Sequence, residues 1–188
     1  METSVLDYFQ RVAAQWDSLR ANYYDESVIV KALEHAQLTG VETVVDTGTG
    51  TGFMAAGVAP SAKRVIGVDF SAEMLNVARD NIAKLGLTNV VFRQGDMEHL
   101  PVEDGSADAV LANMALHHAP DPLAALREMT RVLQPGGRLV ITDETRHPLE
   151  WFRQELADVW LGFTREEIED WFGAVGLAHL RCELVGRK

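Results

Sequence analysis

Apolar residues recur along the chain with two different periods, and the change between them divides the sequence near residue 40. Between residues 4 and 38 they return at the three- to four-residue spacing of amphipathic helices, which predicts helices over residues 4–19 and 25–38. From Val41 onward, short apolar runs alternate with helical segments. The pattern therefore predicts an N-terminal helical cap or lid over residues 1–40 and one α/β domain over residues 41–188.

Six short runs in the second part are predicted to be strands: the first is apolar enough to be buried, and the last is predicted from its alternation. They are VETVVD, KRVIGVD, NVVFRQ, ADAVLAN, PGGRLVITD (which begins with a turn) and LAHLRCELVG. Helical segments separate them, and two carry start signals: Ser71 as an N-cap, and Thr164 with Glu167 as a capping box. This alternation is typical of a Rossmann-like fold, a doubly wound and mostly parallel sheet with helices on both faces.

The first predicted strand leads into the glycine-rich sequence VVDTGTGTGF. Gly48 and Gly50 match the first two positions of the G-x-G-x-x-G dinucleotide fingerprint, but Phe53 stands in place of its third glycine. Asp46 would also repel the pyrophosphate of a dinucleotide. An acidic turn suits S-adenosylmethionine (SAM) better, because SAM carries an ammonium and a sulfonium. The backbone N–H groups of the glycines would remain free for its carboxylate.

Polar side chains end five of the predicted strands, and ligands bind where the carboxyl ends of parallel strands meet. These residues are Asp46, Asp69, Asp96, Asn113 and Asp143. Asp69 follows Gly48 by 21 residues, the spacing typical of an acid that hydrogen-bonds to ribose hydroxyls. Asp96 could accept from an adenine amino group, and Phe70 and Met97 would supply apolar faces for the ring.

Composition bounds the class of protein and its partners. The chain has 188 residues, of which 47% are hydrophobic and 24% charged, as in one ordinary globular domain. Its net charge of −11 argues against nucleic acid and favours a small-molecule substrate. We expect a cytoplasmic protein without a membrane segment, since there is no long apolar run, no secretory signal, and one cysteine, Cys182.

The successive motifs resemble those of class I SAM-dependent methyltransferases, most strongly over residues 41–143. VVDTGTGTG, VIGVDFS, QGDMEHLP, ADAVLANMALHH and QPGGRLVITD carry the resemblance, which points to the small-molecule group that includes the ubiquinone and menaquinone biosynthesis enzymes. The stretch from His147 through WLGFTREEIEDWFGAVGL is similar to methyltransferase domains fused to ArsR-type regulators. A single cysteine argues against arsenite as the acceptor, because trivalent arsenic is held by several thiolates.

The resemblance implies SAM as cofactor, S-adenosylhomocysteine as product, and a set of binding residues. Asp46, Gly48, Thr49 and Gly50 would line the methionine part, Asp69 and Phe70 would bind ribose and adenine, Asp96 and Met97 would hold adenine, and Asn113 and Met114 would face the methionine and the sulfonium.

Methyl transfer requires alignment of the acceptor atom with the methyl group and, for O, N or C acceptors, removal of a proton. His117 and His118 follow the fourth strand, so either could be the general base, or both could be structural. Asp143 and His147 could lie on the substrate side, and Tyr24 is the best candidate for a lid residue. Asp143, His147 and Asn113 offer too few carboxylates for a hard-metal site, so we expect no metal.

Two alternatives to the methyltransferase remain open. One is a non-catalytic SAM-binding domain that senses or scaffolds, and the other is an NAD(P)-dependent oxidoreductase in which Asp46 points away from the loop. The resemblance also implies two further strands after the fifth, whereas only one is predicted here, so the last strand of the sheet is missing. Because an uncovered edge promotes pairing with another chain, we expect a homodimer.

Overall fold

Five parallel strands form the sheet in the computed structural model, which describes residues 4–185. The strands are β1 (Thr43–Thr47), β2 (Arg64–Asp69), β3 (Val90–Gln94), β4 (Ala107–Asn113) and β5 (Leu133–Thr142). They lie in the order β3-β2-β1-β4-β5, and every neighbouring pair is parallel. The chain thus builds outward in both directions from β1, which confirms the predicted doubly wound, Rossmann-like fold.

Eight α-helices surround this sheet within residues 4–185. They are α1 (Val5–Val12), α2 (Trp16–Arg20), α3 (Ser27–Ala36), α4 (Phe53–Val58), α5 (Ala72–Lys84), α6 (Pro122–Val132), α7 (Trp151–Glu155) and α8 (Arg165–Ala174). The predicted N-cap at Ser71 and the capping box of Thr164 and Glu167 are both present. None of these helices has the length and apolar character that crossing a membrane requires.

The core lies in two layers, one on each face of the sheet. Successive side chains of a strand point to opposite faces, so Val44 joins a cluster with α3 and α4 while Val45 joins a cluster with α6. Both valines are fully buried. Burial on both faces explains why the strands are nearly continuous apolar runs in the sequence.

The first predicted helix is interrupted, because a 3₁₀ turn at Ala13–Gln15 separates α1 from α2. Phe9 and Val12 of α1 pack in a third cluster with Met74 of α5. After the turn, the Trp16 side chain lies beside the glycine loop, where a Cβ on Gly50 would be 3.7 Å from Trp16 Nε1. The helices α1 and α2 thus cover the carboxyl edge of the sheet, whereas α3 packs against β4 and β5. The division at residue 40 stays a prediction.

The prediction of a sixth strand is wrong, because no strand forms in the described part of LAHLRCELVG, residues 177–185. His179 has φ +61°, a left-handed conformation that interrupts an extended run. Leu180 packs on the α6 face of the sheet, and Val185 packs on the α3 face. Glu183 contacts His35 of α3 at 2.8 Å, so the segment passes from one face to the other beside β5. The chain itself therefore lies along this edge.

Candidate functional site

An open pocket with about 570 Å³ of empty space lies at the carboxyl ends of β1, β2 and β4. Its lining includes nine of the ten residues predicted to bind the cofactor: Asp46, Gly48, Thr49, Gly50, Asp69, Phe70, Met97, Asn113 and Met114. Asp96 does not line this space. Its side chain is exposed, and its Oδ1 accepts the Glu98 N–H at 2.9 Å. Its contact with adenine stays a prediction.

The glycine loop is shaped by backbone conformations that favour glycine. Gly48 has φ +65° and Gly50 has φ +54°. A Cβ on Gly48 would lie only 2.5 Å from the Ala115 Cβ, so glycine is needed there for space as well.

The N–H groups of the glycines were expected to be free for a ligand carboxylate, and this is wrong for Gly50 and Gly52. The Gly50 N–H donates to Asp69 Oδ2 at 2.8 Å, and the Gly52 N–H donates to the Thr49 carbonyl at 2.9 Å. The Thr49 N–H in turn donates to the Val68 carbonyl at 3.0 Å. The bonds to Asp69 and Val68 hold the loop against β2.

Asp46 and Asp69 are the buried acids of this pocket. Asp46 Oδ2 accepts the Thr49 hydroxyl at 2.5 Å and the Ala55 N–H at 3.1 Å, while Asp69 Oδ1 accepts the Ser71 N–H at 2.9 Å. Burial raises the pKa of Asp46 to about 7, with the charge of Asp69 adding to the rise, and burial raises the pKa of Asp69 to about 6. Among the described residues that line the pocket, none is a lysine or arginine. A cation in this pocket would stabilise both carboxylates.

A second pocket with about 340 Å³ of empty space adjoins the first and shares four lining residues with it: Trp16, Tyr24, Met114 and His118. Tyr23, His117, Glu144, Leu156 and Asp158 complete its lining. Tyr24, the predicted lid residue, therefore lies between the two spaces, and burial raises its pKa to about 12. Met114 lies at the same junction with φ +50°, a strained conformation for a residue with a side chain.

The two histidines after β4 have opposite electrostatic surroundings. His117 Nδ1 lies 2.6 Å from Asp143 Oδ1, and its Nε2 lies 3.6 Å from Asp158 Oδ1. Burial alone would lower the pKa of His117, but Asp143 and Asp158 raise it to about 9. For His118, burial and then the charge of His117 hold the pKa well below its usual value. This arrangement favours the charged form of His117 and the neutral form of His118.

Asp143 and His147, predicted on the substrate side, line neither pocket. Asp143 accepts from the Leu116 N–H at 3.0 Å and contacts His117. His147 Nε2 lies 2.8 Å from Glu144 Oε2. Each therefore contacts a residue that faces the second pocket.

Asp158 is a site residue that sequence reasoning missed. Only 5% of it is exposed, and its Oδ2 has no hydrogen-bond partner among the described residues. Ala157 before it has φ +61°, and the Trp160 N–H donates to the His117 carbonyl at 2.9 Å, so a strained turn holds Asp158 against His117. The only signal in the sequence is an acid within the otherwise apolar run LADVWLG.

The fold is that of class I methyltransferases, and the comparisons agree. A family model described as a methyltransferase domain matches residues 38–177, so the chain belongs to this family. The resemblance drawn from the motifs is thereby confirmed.

Individual relatives give the same result. Demethylmenaquinone methyltransferase of Lactococcus lactis subsp. lactis is 36% identical over 154 residues, 74% of this chain and 60% of the relative. Arsenite methyltransferase of Halobacterium salinarum is 44% identical over 105 residues, 54% of this chain and 27% of the relative. The solved structure of YcgJ from Bacillus subtilis superposes with a TM-score of 0.74 at 29% identity, covering 82% of this chain and 69% of that one. The chain thus spans less than two thirds of the length of these two curated methyltransferases.

Proposed function

We propose that the protein is a SAM-dependent methyltransferase that transfers a methyl group to a small-molecule acceptor and releases S-adenosylhomocysteine. One observation carries this function: a large pocket whose buried charged groups are acids opens into a smaller pocket at the carboxyl edge of the sheet. Membership of the methyltransferase domain family supports it.

The chemistry of the larger pocket fits SAM. Asp46 would accept from its ammonium, Asp69 from its ribose hydroxyls, and Phe70 and Met97 would contact adenine. The missing Cβ at Gly48 leaves room at the floor of the site. SAM supplies a methyl group on a positively charged sulfur, and the pocket's acids suit that charge. The same acids, without a lysine or arginine in the described lining, disfavour the pyrophosphate of a dinucleotide.

The smaller pocket would hold the acceptor. Trp16, Tyr23 and Tyr24 give it aromatic walls, and His118 lies where the two pockets join. His118 Nδ1 is 3.2 Å from the Ala157 carbonyl oxygen; if that nitrogen carries the proton, Nε2 is left as an acceptor. This geometry supports His118 rather than the ion-paired His117 as the group that receives a proton from the acceptor.

The relatives suggest which acceptors to test. One relative is named for demethylmenaquinone and another for arsenite. Cys182 is the sole cysteine, is exposed, and lines neither pocket, so a quinol is the better first acceptor.

Calorimetry with S-adenosylhomocysteine and NADH in parallel tests the cofactor. We expect S-adenosylhomocysteine to bind the wild type, with weaker binding by Asp69→Asn and unchanged binding by the matched control Asp80→Asn, an exposed acid on α5. Binding of NADH alone would overturn the proposal in favour of an oxidoreductase. Turnover of SAM with a panel of quinols, phenols and amines then tests catalysis. Tight cofactor binding with no turnover on any acceptor would favour the non-catalytic sensor or scaffold.

The homodimer and the cytoplasmic location stay predictions. Light scattering at micromolar protein concentration tests the first, and a monomeric mass would contradict it.

A further inference from the structure

We propose that His117, His118 and Asp158 form a binding site for one divalent transition-metal ion of the zinc type, in the wall of the second pocket. One ligand atom from each of these three buried residues lies within 4.8 Å of the others. The sequence-based prediction that no metal binds considered other residues, namely Asp143, His147 and Asn113. The set proposed here includes Asp158, which lies in a turn far along the chain from the two histidines.

The unpaired oxygen of Asp158 is the first reason for this assignment. Asp158 is 5% exposed, its Oδ2 has no hydrogen-bond partner among residues 4–185, and its carboxylate lies in the lining of the second pocket. Leaving a buried carboxylate oxygen unpaired is unfavourable, because the loss of its hydration is not offset by a hydrogen bond. Oδ2 has almost no surface open to water, and the two histidine nitrogens are measured against the other oxygen, Oδ1. An ion bound by both oxygens of the carboxylate would satisfy Oδ2.

The spacing of the possible ligands is the second reason. His117 Nε2 lies 3.6 Å and His118 Nδ1 lies 4.0 Å from Asp158 Oδ1. Two atoms bound at about 2.1 Å to one tetrahedral ion lie roughly 3.4 Å apart. Small side-chain shifts would therefore close these residues around an ion, which would replace the proton on His117 Nε2 and the contact of His118 Nδ1 with the Ala157 carbonyl oxygen. With the ion bound, His118 would be a ligand and not the group that receives a proton from the acceptor.

The orientation of His117 is the third reason. Its Nδ1 lies 2.6 Å from Asp143 Oδ1, which leaves Nε2 directed at Asp158. A histidine that binds a metal through one nitrogen commonly donates the other N–H to a carboxylate, which fixes the ring. Two imidazoles and one carboxylate are a donor set for zinc or iron(II) rather than for magnesium or calcium.

The ion would leave coordination positions open toward the second pocket, where it could hold an oxygen, nitrogen or sulfur atom of the acceptor. This role rests on the proposed methyltransferase function, whereas binding of the ion does not. The first experiment therefore measures metal binding alone.

The test is calorimetry of the metal-stripped full chain with zinc chloride, in a Cys182→Ser background and without a histidine tag. We expect one site per chain, with affinity reduced by at least about 100-fold in Asp158→Asn and in His118→Ala. His147→Ala and the exposed control His99→Ala should bind as the parent does. His147 matters because Glu144, His147 and Asp158 form a second possible group.

A cobalt(II) spectrum gives a readout that does not depend on stability. The parent should show visible absorption of low-symmetry nitrogen and oxygen ligation, which Asp158→Asn loses while its circular dichroism is unchanged. Asp143→Asn should weaken metal binding by about 10- to 100-fold through the loss of ring orientation.

Three results would overturn the site: no zinc bound by the parent, equal binding by Asp158→Asn, or loss in His147→Ala with retention in His118→Ala. None of them bears on S-adenosylhomocysteine binding, so the two proposals fail separately.

Discussion

The close approach of Gly48 to Ala115 leads to a quantitative prediction for Gly48→Ala. An alanine at φ +65° costs about 1–2 kcal/mol relative to glycine, because its Cβ crowds the backbone. The new Cβ would also lie 2.5 Å from the Ala115 Cβ, and overpacking of this kind costs about 1–3 kcal/mol. We therefore expect Gly48→Ala to lower the free energy of unfolding by about 2–5 kcal/mol.

Gly105→Ala is a matched control, because Gly105 has a similar φ of +59° but no heavy atom of residues 4–185 within 4 Å of a Cβ built on it. The free energy of unfolding of Gly105→Ala should fall only by the cost of an alanine at positive φ, about 1–2 kcal/mol. Urea denaturation followed by circular dichroism gives both values. The difference between the two variants then isolates the contact with Ala115.

The same pair tests the location of the cofactor. Ala115 and Met97 line the larger pocket, and the Gly48 Cβ would approach both, at 2.5 and 3.5 Å, so Gly48→Ala should weaken S-adenosylhomocysteine binding. Gly105→Ala should leave binding unchanged. The reasoning is refuted if Gly48→Ala is no more destabilising than Gly105→Ala, or if both bind the ligand as the wild type does.

Three further predictions concern other parts of the molecule. The buried Thr47 Oγ1 has no hydrogen-bond partner in the part of the chain that the structure describes, so Thr47→Val should keep the free energy of unfolding or raise it by up to about 1 kcal/mol in urea denaturation; a clear loss would contradict this. Thr164→Ala removes the side-chain cap of α8 and should lower the free energy of unfolding by about 1 kcal/mol in urea denaturation, whereas Thr164→Ser should lower it by less than half of that. Burial raises the pKa of Asp46 to about 7 and of Asp69 to about 6, so S-adenosylhomocysteine affinity should fall as pH is lowered from 8 to 5.5 and these acids lose their charge. The raised pKa values have the opposite effect on the stability of the ligand-free protein, because burial favours the protonated acids. The two groups raise the melting temperature at pH values below about 4, which is near their pKa in the unfolded chain. This stabilisation is lost as the pH rises through 6 and 7. Calorimetry and thermal melts across this range check both, and an affinity independent of pH would count against the carboxylates.

The five strands were predictable from the sequence because burial on both faces requires unbroken apolar runs. Val44 and Val45 point to opposite layers, and both need apolar side chains. The positions of Asp46 and Asp69 at the pocket were predictable for the same reason, since each apolar run ends where its strand reaches the pocket. Their spacing from Gly48 is a local property of a strand-loop-helix unit.

The second pocket was less predictable because its contacts join segments far apart in the chain. His117, Asp143 and Asp158 follow β4, β5 and α7, and no local pattern indicates that they meet. The opposite directions in which the pKa values of His117 and His118 are shifted follow from those contacts and not from the dipeptide itself. The prediction of a C-terminal strand was wrong for a related reason, since Leu180 and Val185 pack on opposite faces of the sheet rather than in a strand.

The two pockets differ in how completely the chain satisfies its own acids. Asp46 and Asp69 accept from hydroxyl and backbone donors, so the larger pocket has its shape before any ligand binds. A site formed in advance loses little free energy to rearrangement on binding. Asp158, by contrast, has a buried oxygen without a hydrogen-bond partner among residues 4–185. We therefore expect a ligand that reaches Asp158 in the second pocket to bring a hydrogen-bond donor or a positive charge.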